Sequence, residues 1–304
     1  MKKEKGSALI IVLVISLIIL SLTAYTIKLS KEIVWQSKSF LDKIQAKLDV
    51  KSALEITKYT IAVSSFKENY VENKSFQKFL PQEIYLTGKP IKMKSTTIRL
   101  YDTSSKINVF NLSRNYVKKL YSNIKTEKNL ADIAYDSYLD WKDEDKLKHI
   151  NGAEDYYYKI EKGYNYTPRN SQAIQDKEEL KNIRGFMKNY AKIKDKLTFA
   201  YRGGLLNINT ATVESLSILF NISLDKAKQI IKIRDRKGSL NFSDIQNITG
   251  NKADLAFDMH STFPSRVVII KINSKIGEAK EKLEAVIDFN PTENYPYTVI
   301  KYIE

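Results

Sequence analysis

The first part of the chain is apolar without interruption. No charged residue occurs between Ser7 and Ile27. At 1.5 Å rise per residue, a helix over this stretch would be roughly 32 Å long, which matches the hydrocarbon core of a bilayer. The pattern therefore predicts a transmembrane helix over residues 7–27.

The same helix is predicted to continue beyond the membrane. No Gly or Pro occurs between Gly6 and Pro81. The apolar residues after the span recur at spacings of seven, three and four, which place them on one face of a helix: Val34, Leu41, Ile44 and Leu48. We predict an amphipathic stalk helix over residues 28–65.

Further along the chain, apolar and polar residues alternate with a period of two, which predicts strands. The alternation occurs in "IKMKSTTIRLYD" and "KINVFNL", and it returns near the end in "RVVIIKINSKIG", "AKEKLEAVIDFN" and "YTVIKYIE". Residues 112–264, between these two sets, have a helical pattern and are rich in Tyr. The predicted fold is α+β: a long N-terminal helix packs on an antiparallel sheet, and a large α-helical domain is inserted into that sheet. The sheet would be formed by residues 66–111 and 265–304.

The charge changes this picture little. The formal net charge is +15, which suits nucleic acid, anionic lipid or an acidic protein partner. Lys and Glu are nevertheless spread along the whole chain, which favours a general compositional bias. The absence of Cys excludes disulfides and thiolate metal sites.

Small residues stand in front of the apolar run rather than after it. Gly6 and Ser7 follow the Lys-rich segment "KKEK". This arrangement resembles the class III leader of type IV pilins and pseudopilins, which a dedicated peptidase cuts after the Gly. It predicts a leader over residues 1–6 and Ser7 as the mature N-terminus. The alternative is an uncleaved anchor with its basic residues in the cytoplasm.

One acidic stretch is a candidate metal site. The segment "YLDWKDEDKLKHINGAEDYYY" carries six carboxylates around a turn: Asp140, Asp143, Glu144, Asp145, Glu154 and Asp155. Hard cations such as Ca²⁺ prefer oxygen ligands of this kind. The alternative is that these side chains pair with neighbouring lysines on a solvated helix.

The sequence offers little for catalysis. The two histidines, His149 and His260, are not spaced as a pair of metal ligands, and no nucleophile elbow or Gly-rich phosphate loop occurs. We therefore expect no enzymatic activity.

A second segment suggests an alternative function. Residues 205–250 resemble the helix-hairpin-helix unit of competence-type DNA receptors, which are also membrane-anchored. The hairpin over residues 220–224 reads "FNISL" and lacks the Gly residues that would let its backbone approach a phosphate. A structural use of the motif is therefore favoured, and no specific binding of nucleic acid is expected.

Six pieces of the chain, taken in order, resemble the minor pseudopilin K family of type II secretion systems (general secretion pathway protein K). They are "KGSALI", "KINVFNL", "YLDWKDED" with "GAEDYY", "PRN", "EELKNIRGF" and "LNINTAT". The resemblance implies a non-enzymatic protein with a pilin-like core, a single pass through the inner membrane and periplasmic C-terminal domains. Its implied partners are other minor pseudopilins and the prepilin peptidase. A minor pilin of a type IV pilus is the alternative.

The family resemblance also implies Ca²⁺ in the inserted domain. The candidate ligands are Asp140, Asp143, Asp145, Glu154 and Asp155.

Ile11 would be the fifth residue of the mature chain, where pilins and most pseudopilins have Glu. That carboxylate is thought to neutralise the N-terminal ammonium of the subunit ahead in the filament, because an unpaired charge in hydrocarbon is expensive. A subunit at the tip has no such ammonium to meet. Ile11 therefore predicts a subunit that caps the pseudopilus and helps to start assembly. The alternative is an anchor that does not assemble.

Overall fold

The computed structural model describes residues 5–124, 126, 128–171, 173–199, 205–250 and 260–304. The first four residues of the predicted leader lie outside this range. Helix α1, Lys5–Ala62, runs without a break through the predicted transmembrane segment and stalk. It ends three residues before the predicted boundary at residue 65, and the chain then turns into the first strand.

Helix α1 has two parts that differ in burial. It is long and apolar enough to cross a membrane, and none of the residues in its most apolar window is buried within the molecule. Burial begins at Ala46, after which Val50, Ala53, Leu54 and Ile61 face the protein core. The last third of the helix is therefore the part that packs on the folded domains.

The main sheet has five antiparallel strands in the order β12-β11-β10-β5-β4. These strands are β4 (Ile91–Met93), β5 (Thr96–Asp102), β10 (Val267–Ile276), β11 (Ala279–Asp288) and β12 (Thr298–Ile303). A small second sheet precedes it, with β1 (Ser65–Phe66), β2 (Tyr70–Glu72) and β3 (Glu83–Tyr85) in that order. Strands from both ends of the chain thus pair in one sheet, as the alternation predicted.

The core between α1 and the sheet is mostly aliphatic. Ile270 of β10 lies opposite Leu100 of β5 on one side and Ala285 of β11 on the other. All three side chains are fully buried, and they join Val50 and Leu54 of α1 in one cluster. Burial of apolar surface accounts for most of the stability of such a core.

The segment "KINVFNL" differs from its prediction as a strand of the main sheet. Only Ile107–Asn108 is extended, as β6, and it pairs in parallel with β7, Leu197–Thr198. The Asn108 side chain then accepts a hydrogen bond from the Phe110 amide at 3.2 Å, and a 3₁₀ turn follows. Asn side chains favour such local turns over a continued strand.

The first half of the inserted region is built around aromatic side chains. Its helices are α2 (Arg114–Asn123), α3 (Lys128–Lys142), a π-helical turn (Tyr156–Glu161) and α4 (Tyr190–Ile193). The largest buried side chains in its core are Tyr121, Tyr138, Trp141, Tyr158 and Phe186. Short 3₁₀ turns and β7 complete it, so this region contains more irregular structure than the predicted helical pattern.

The second half has a separate apolar core. It contains β8 (Leu206–Asn207), α5 (Val213–Leu219), α6 (Leu224–Lys237), α7 (Phe242–Thr249) and β9 (His260–Ser261), and β8 pairs in parallel with β9. The two short strands close this helical unit at the points where the chain enters and leaves it.

Asp102, at the end of β5, joins the sheet to the inserted region. Its buried carboxylate accepts hydrogen bonds from Thr210 Oγ1 at 2.8 Å, Ser265 Oγ at 2.9 Å and the Ser104 amide at 3.0 Å. Burial raises its pKa, and these donors counteract part of that rise. Because the donors come from the segments that leave and re-enter the sheet, Asp102 fixes the position of the inserted region.

Candidate functional site

Three carboxylates of the acidic stretch lie near the end of α3. Asp140 lies in the last turns of α3, Asp143 follows the helix directly, and Glu154 follows the turn after it. Asp140 is 0% exposed and Glu154 is 6% exposed. Ligand atoms of Asp140, Asp143 and His149 all lie within 4.8 Å of one another.

Several oxygens in this cluster are buried and lack a hydrogen-bond partner among the described residues. They are Asp140 Oδ2, Asp143 Oδ1 and both carboxylate oxygens of Glu154. A buried carboxylate oxygen without a partner costs free energy, because it has lost its water. A cation that binds oxygen is a partner that such atoms accept.

The carboxylates also repel one another. Burial, together with the charges of Asp140 and Asp143, raises the pKa of Glu154 to about 7. Burial and the neighbouring Asp145 and Asp140 charges raise the pKa of Asp143 in the same way. Without a cation, the cluster therefore tends to hold a proton at neutral pH.

The imidazole of His149 lies against this cluster. Its Nδ1 contacts Asp140 Oδ1, and its backbone N–H donates to the same oxygen at 3.1 Å. The hydrogen bond to Asp140 raises the pKa of His149. Sequence reasoning considered His149 only as a partner of His260. Its position nine residues after Asp140, just before a Gly turn, was the signal that could have identified it.

Gly152 allows the turn to close over the cluster. A Cβ at this position would lie 1.8 Å from Asp140 Oδ2, so any other residue would displace the carboxylate. The Gly152 carbonyl accepts a hydrogen bond from Arg184 Nη1 at 3.0 Å, which holds the turn against the domain. The backbone of Gly152 therefore lies directly against the Asp140 carboxylate, one of whose oxygens is unpartnered.

The other two predicted ligands lie on the outside of the cluster. Asp145 is exposed, and its carboxylate accepts a hydrogen bond from the Leu147 amide at 2.7 Å. Asp155 forms an ion pair with Lys146 at 3.5 Å. The structure thus brings Asp140 and Asp143 together with His149 and places Glu154 where its charge interacts with both aspartates. It leaves Asp145 and Asp155 at the surface.

One further buried oxygen lies near this loop. Asn170 Oδ1 has no hydrogen-bond partner within the described part of the chain. Its Nδ2 lies 3.5 Å from the Asp145 carbonyl, so the "PRN" segment contacts the acidic loop. An amide oxygen and three carboxylates form a donor set that fits a hard cation such as Ca²⁺.

The other predicted sites lie on α1. Gly6 and Ser7 fall in the first helical turn, since α1 begins at Lys5. Ile11 is 57% exposed on the apolar part of the helix. A carboxylate at this position would therefore have no partner within the described chain.

The hairpin of the helix-hairpin-helix segment is partly packed into the protein, with Asn221, Ser223 and Leu224 exposed and two apolar residues buried. Phe220 is 1% exposed and Ile222 is 4% exposed. Ser217 Oγ donates to the Ile222 carbonyl at 2.7 Å, and Lys119 Nζ donates to Asn221 Oδ1 at 2.7 Å. The hairpin thus serves as a packing element between α5 and α6.

A long helix packed on an antiparallel sheet, with a helical domain inserted between its strands, defines a pilin-like α+β protein. Residues 99–198 of the chain match the family model "Type II secretion system (T2SS), protein K". The predicted resemblance to protein K is thereby confirmed, and the match supports a minor pseudopilin role in type II secretion.

The fold is also similar to that of a chain in the crystal structure of the GspK-GspI-GspJ complex from the type 2 secretion system of enterotoxigenic Escherichia coli. The TM-score is 0.61 at 15% sequence identity, and the alignment covers 88% of this chain and 98% of that chain. This similarity is one of fold, and it confirms the predicted α+β class. No curated protein sequence matches the chain.

Proposed function

We propose that this chain is a minor pseudopilin that caps the tip of a type II secretion pseudopilus and helps to start its assembly. The observation that carries the proposal is the long exposed apolar helix in front of a region that matches protein K. In this role the protein is a structural subunit without catalytic activity.

The apolar part of α1 would anchor the protein in the inner membrane by a single pass, with the folded domains in the periplasm. The prepilin peptidase would remove residues 1–6 and leave Ser7 as the first residue. The lysines of the leader are consistent with a cytoplasmic location of that end.

The part of α1 beyond the membrane offers a surface for partner subunits. Its exposed large apolar side chains are Leu29, Ile33, Val34, Trp35, Phe40, Leu41, Ile44 and Leu48. A continuous apolar surface of this kind on a soluble segment indicates a protein interface. We propose other minor pseudopilins as the partners, and the similar crystal structure, which is a GspK-GspI-GspJ complex, supports that choice.

Ile11 supports a position at the tip. A Glu at this depth in the membrane would need a positive partner from the subunit ahead, and an unpaired carboxylate would be costly. The apolar Ile11 has no such requirement. The bulk of the inserted region also fits an end position more easily than a packed shaft.

We further propose that Asp140, Asp143 and Glu154 bind Ca²⁺, with the Asn170 amide oxygen as a fourth donor. Asp145 and Asp155 are candidates on the outside of this site. The cation would supply the positive charge that the three carboxylates lack. The cation, rather than His149, would then balance most of the negative charge of Asp140. The proposal is supported by the unpartnered buried oxygens.

Binding of DNA through the hairpin is not part of this proposal. Phe220 and Ile222 are buried, which supports a structural use of the motif. No observation specifically favours the DNA receptor or the type IV pilin.

Processing and assembly can be tested together in a strain that carries the type II secretion genes. Deleting this gene should reduce the number of pseudopili, and the wild-type chain should restore it with Ser7 as its N-terminus by mass spectrometry. Gly6→Leu should block cleavage and fail to restore pseudopili. Ser7→Ala, which keeps a small residue, is the matched control and should restore them. An intact leader on the functional wild-type protein would contradict the processing proposal.

A further inference from the structure

We propose that a cleft between the main sheet and the inserted region binds an acidic peptide segment of another protein. The cleft has a volume of about 260 Å³. It lies on the face of the sheet opposite to α1, and its far wall is formed by β7 and the residue after it, Phe199. Neither the proposed anchor nor the acidic cluster contributes to it.

The floor of the cleft is a row of neighbouring side chains across four strands. Tyr101 of β5 lies opposite Ile269 of β10, Ile269 opposite Val286 of β11, and Val286 opposite Lys301 of β12. Phe199 forms part of the wall. The floor is therefore apolar in the middle and has a cation at one end.

Four lysines surround this apolar floor: Lys106, Lys177, Lys271 and Lys301. Lys271 pairs with Glu284 at 2.7 Å, and Lys301 pairs with Asp176 at 2.5 Å. Lys106 and Lys177 form no ion pair with any described carboxylate. The lining also includes the buried carboxylate of Asp102, so four lysines stand against three carboxylates. Lys106 and Lys177 are the lysines without an ion pair, and their charge is complementary to an anionic ligand.

Lys106 is the cation for which an added carboxylate would matter most. Its side chain is half-buried, and burial together with the charges of Lys177 and Lys271 lowers its pKa. Lys177 Nζ has only a 3.5 Å contact with the Lys194 carbonyl. A ligand carboxylate between Lys106 and Lys177 would offset both the lost hydration and the repulsion.

The arrangement of the sheet favours an extended peptide. Charged and apolar side chains alternate on this face, with Ile269 and Lys271 on β10 and Val286 and Glu284 on β11, and such pairs lie about 7 Å apart along a strand. Alternate side chains of an extended peptide have the same spacing. The edge strand β12 is exposed along its whole length, so a peptide can lie beside it and use its free backbone groups.

Binding can be measured by titration calorimetry with the full chain in a neutral detergent. The probe is a capped octapeptide of alternating valine and glutamate, and the control peptide has glutamine in place of glutamate. The first peptide should bind at least tenfold more tightly than the second. Lys106→Gln and Lys177→Gln should each weaken its binding by about tenfold, which corresponds to 1.4 kcal/mol. Lys280→Gln, an exposed lysine outside the cleft, removes the same charge and should leave binding unchanged.

The position of the peptide can be checked by alkylation, because the chain has no native Cys. The acidic peptide should slow the reaction of iodoacetamide with Ile300→Cys, which lines the cleft, and not with Ile303→Cys on the same strand. Equal binding of both peptides, an equal loss in Lys280→Gln, or protection of neither cysteine would overturn the proposal. The two lysine variants are independent, so a folding defect in one leaves the other as a test.

Discussion

One buried carboxylate of the pilin-like sheet, Asp102, and one of the inserted region, Glu154, differ in their surroundings. Asp102 accepts hydrogen bonds from backbone and side-chain donors on three segments of the chain. Neither carboxylate oxygen of Glu154 has a partner among the described residues. Hydrogen bonds from the protein satisfy the Asp102 carboxylate. No described residue satisfies the Glu154 carboxylate in this way.

The apolar cores of the two regions also differ in composition. The cluster between α1 and the sheet is mainly aliphatic. The core of the inserted region is largely aromatic, and Trp141 and Tyr158 lie in the segments that carry the acidic cluster. If the proposed cation binds, it should stabilise the inserted region and leave the sheet unaffected.

The largest effect is expected from a cavity in the sheet core. Leu100 is fully buried between α1 and β10, so Leu100→Ala should lower the free energy of unfolding by about 2–5 kcal/mol. Thermal unfolding in detergent should show the same loss with Ca²⁺ and with chelator. Val299→Ala, on the exposed edge strand, should change stability little. If the loss of unfolding free energy differs between Ca²⁺ and chelator, the stability of the sheet core is not independent of the cation site.

Calcium should stabilise only the inserted region. At 100 times Kd, binding to the folded state adds about 2.7 kcal/mol. Hydrogen exchange should slow in residues 128–171 and stay unchanged in β5 and β10. Asp143→Asn should abolish this protection, and Asp225→Asn, an exposed Asp that contacts only Lys228, should retain it. Absence of any shift from micromolar to millimolar Ca²⁺ would remove the metal from the account.

Gly152→Ala should remove the Ca²⁺ response by displacing Asp140. The new Cβ would lie 1.8 Å from Asp140 Oδ2, and overpacking of this kind costs about 1–3 kcal/mol. Gly163→Ala is the control, because no atom lies within 4 Å of its Cβ position. Its positive φ makes the substitution mildly destabilising, but the melting shift with Ca²⁺ should persist. A normal Ca²⁺ shift in Gly152→Ala would show that the turn does not shape the site.

The chelated protein should lose stability as the pH rises. The pKa of Glu154 is raised to about 7 in the folded state from 4.5, so the folded state holds a proton that the unfolded state has released. Stability therefore falls between about pH 4.5 and pH 7, and the raised pKa of His149 adds a loss of the same sign at higher pH. Allowing for solvent screening, we expect about 1–2 kcal/mol.

Melting temperatures at several pH values measure this loss. Glu154→Gln should flatten the lower part of the profile, because it removes the titrating carboxyl group while preserving its shape. A wild-type profile in chelator that rises from pH 5 to pH 7 would contradict the raised pKa of Glu154.

Sequence periodicity was sufficient for the regular elements. Uninterrupted apolar residues predicted α1, and alternation predicted β5, β10, β11 and β12. β5, β10 and β11 alternate because each has one face in an apolar core, whereas β12 is exposed on both faces. It failed for "KINVFNL", where a local Asn turn ends the strand after two residues. The short strands β7, β8 and β9 were not predicted either, because strands of two residues are too short to show an alternation.

The sequence predicted the acidic stretch of the candidate site, but not which of its side chains are buried. Proximity in sequence identified the acidic stretch, but it could not separate Asp140 and Glu154, which point inward, from Asp145 and Asp155, which face solvent. That division depends on how the Gly152 turn folds back on α3. The contact of His149 with Asp140 arises from the same turn.

Cysteine crosslinking along the stalk tests the tip position most directly. The chain contains no Cys, so Val34→Cys and Phe40→Cys each introduce a single thiol on the exposed part of α1. In cells that assemble pseudopili with single cysteines in the other pseudopilins, the tip position predicts crosslinks to minor pseudopilins on one side only. Crosslinks to subunits both above and below this chain would contradict it.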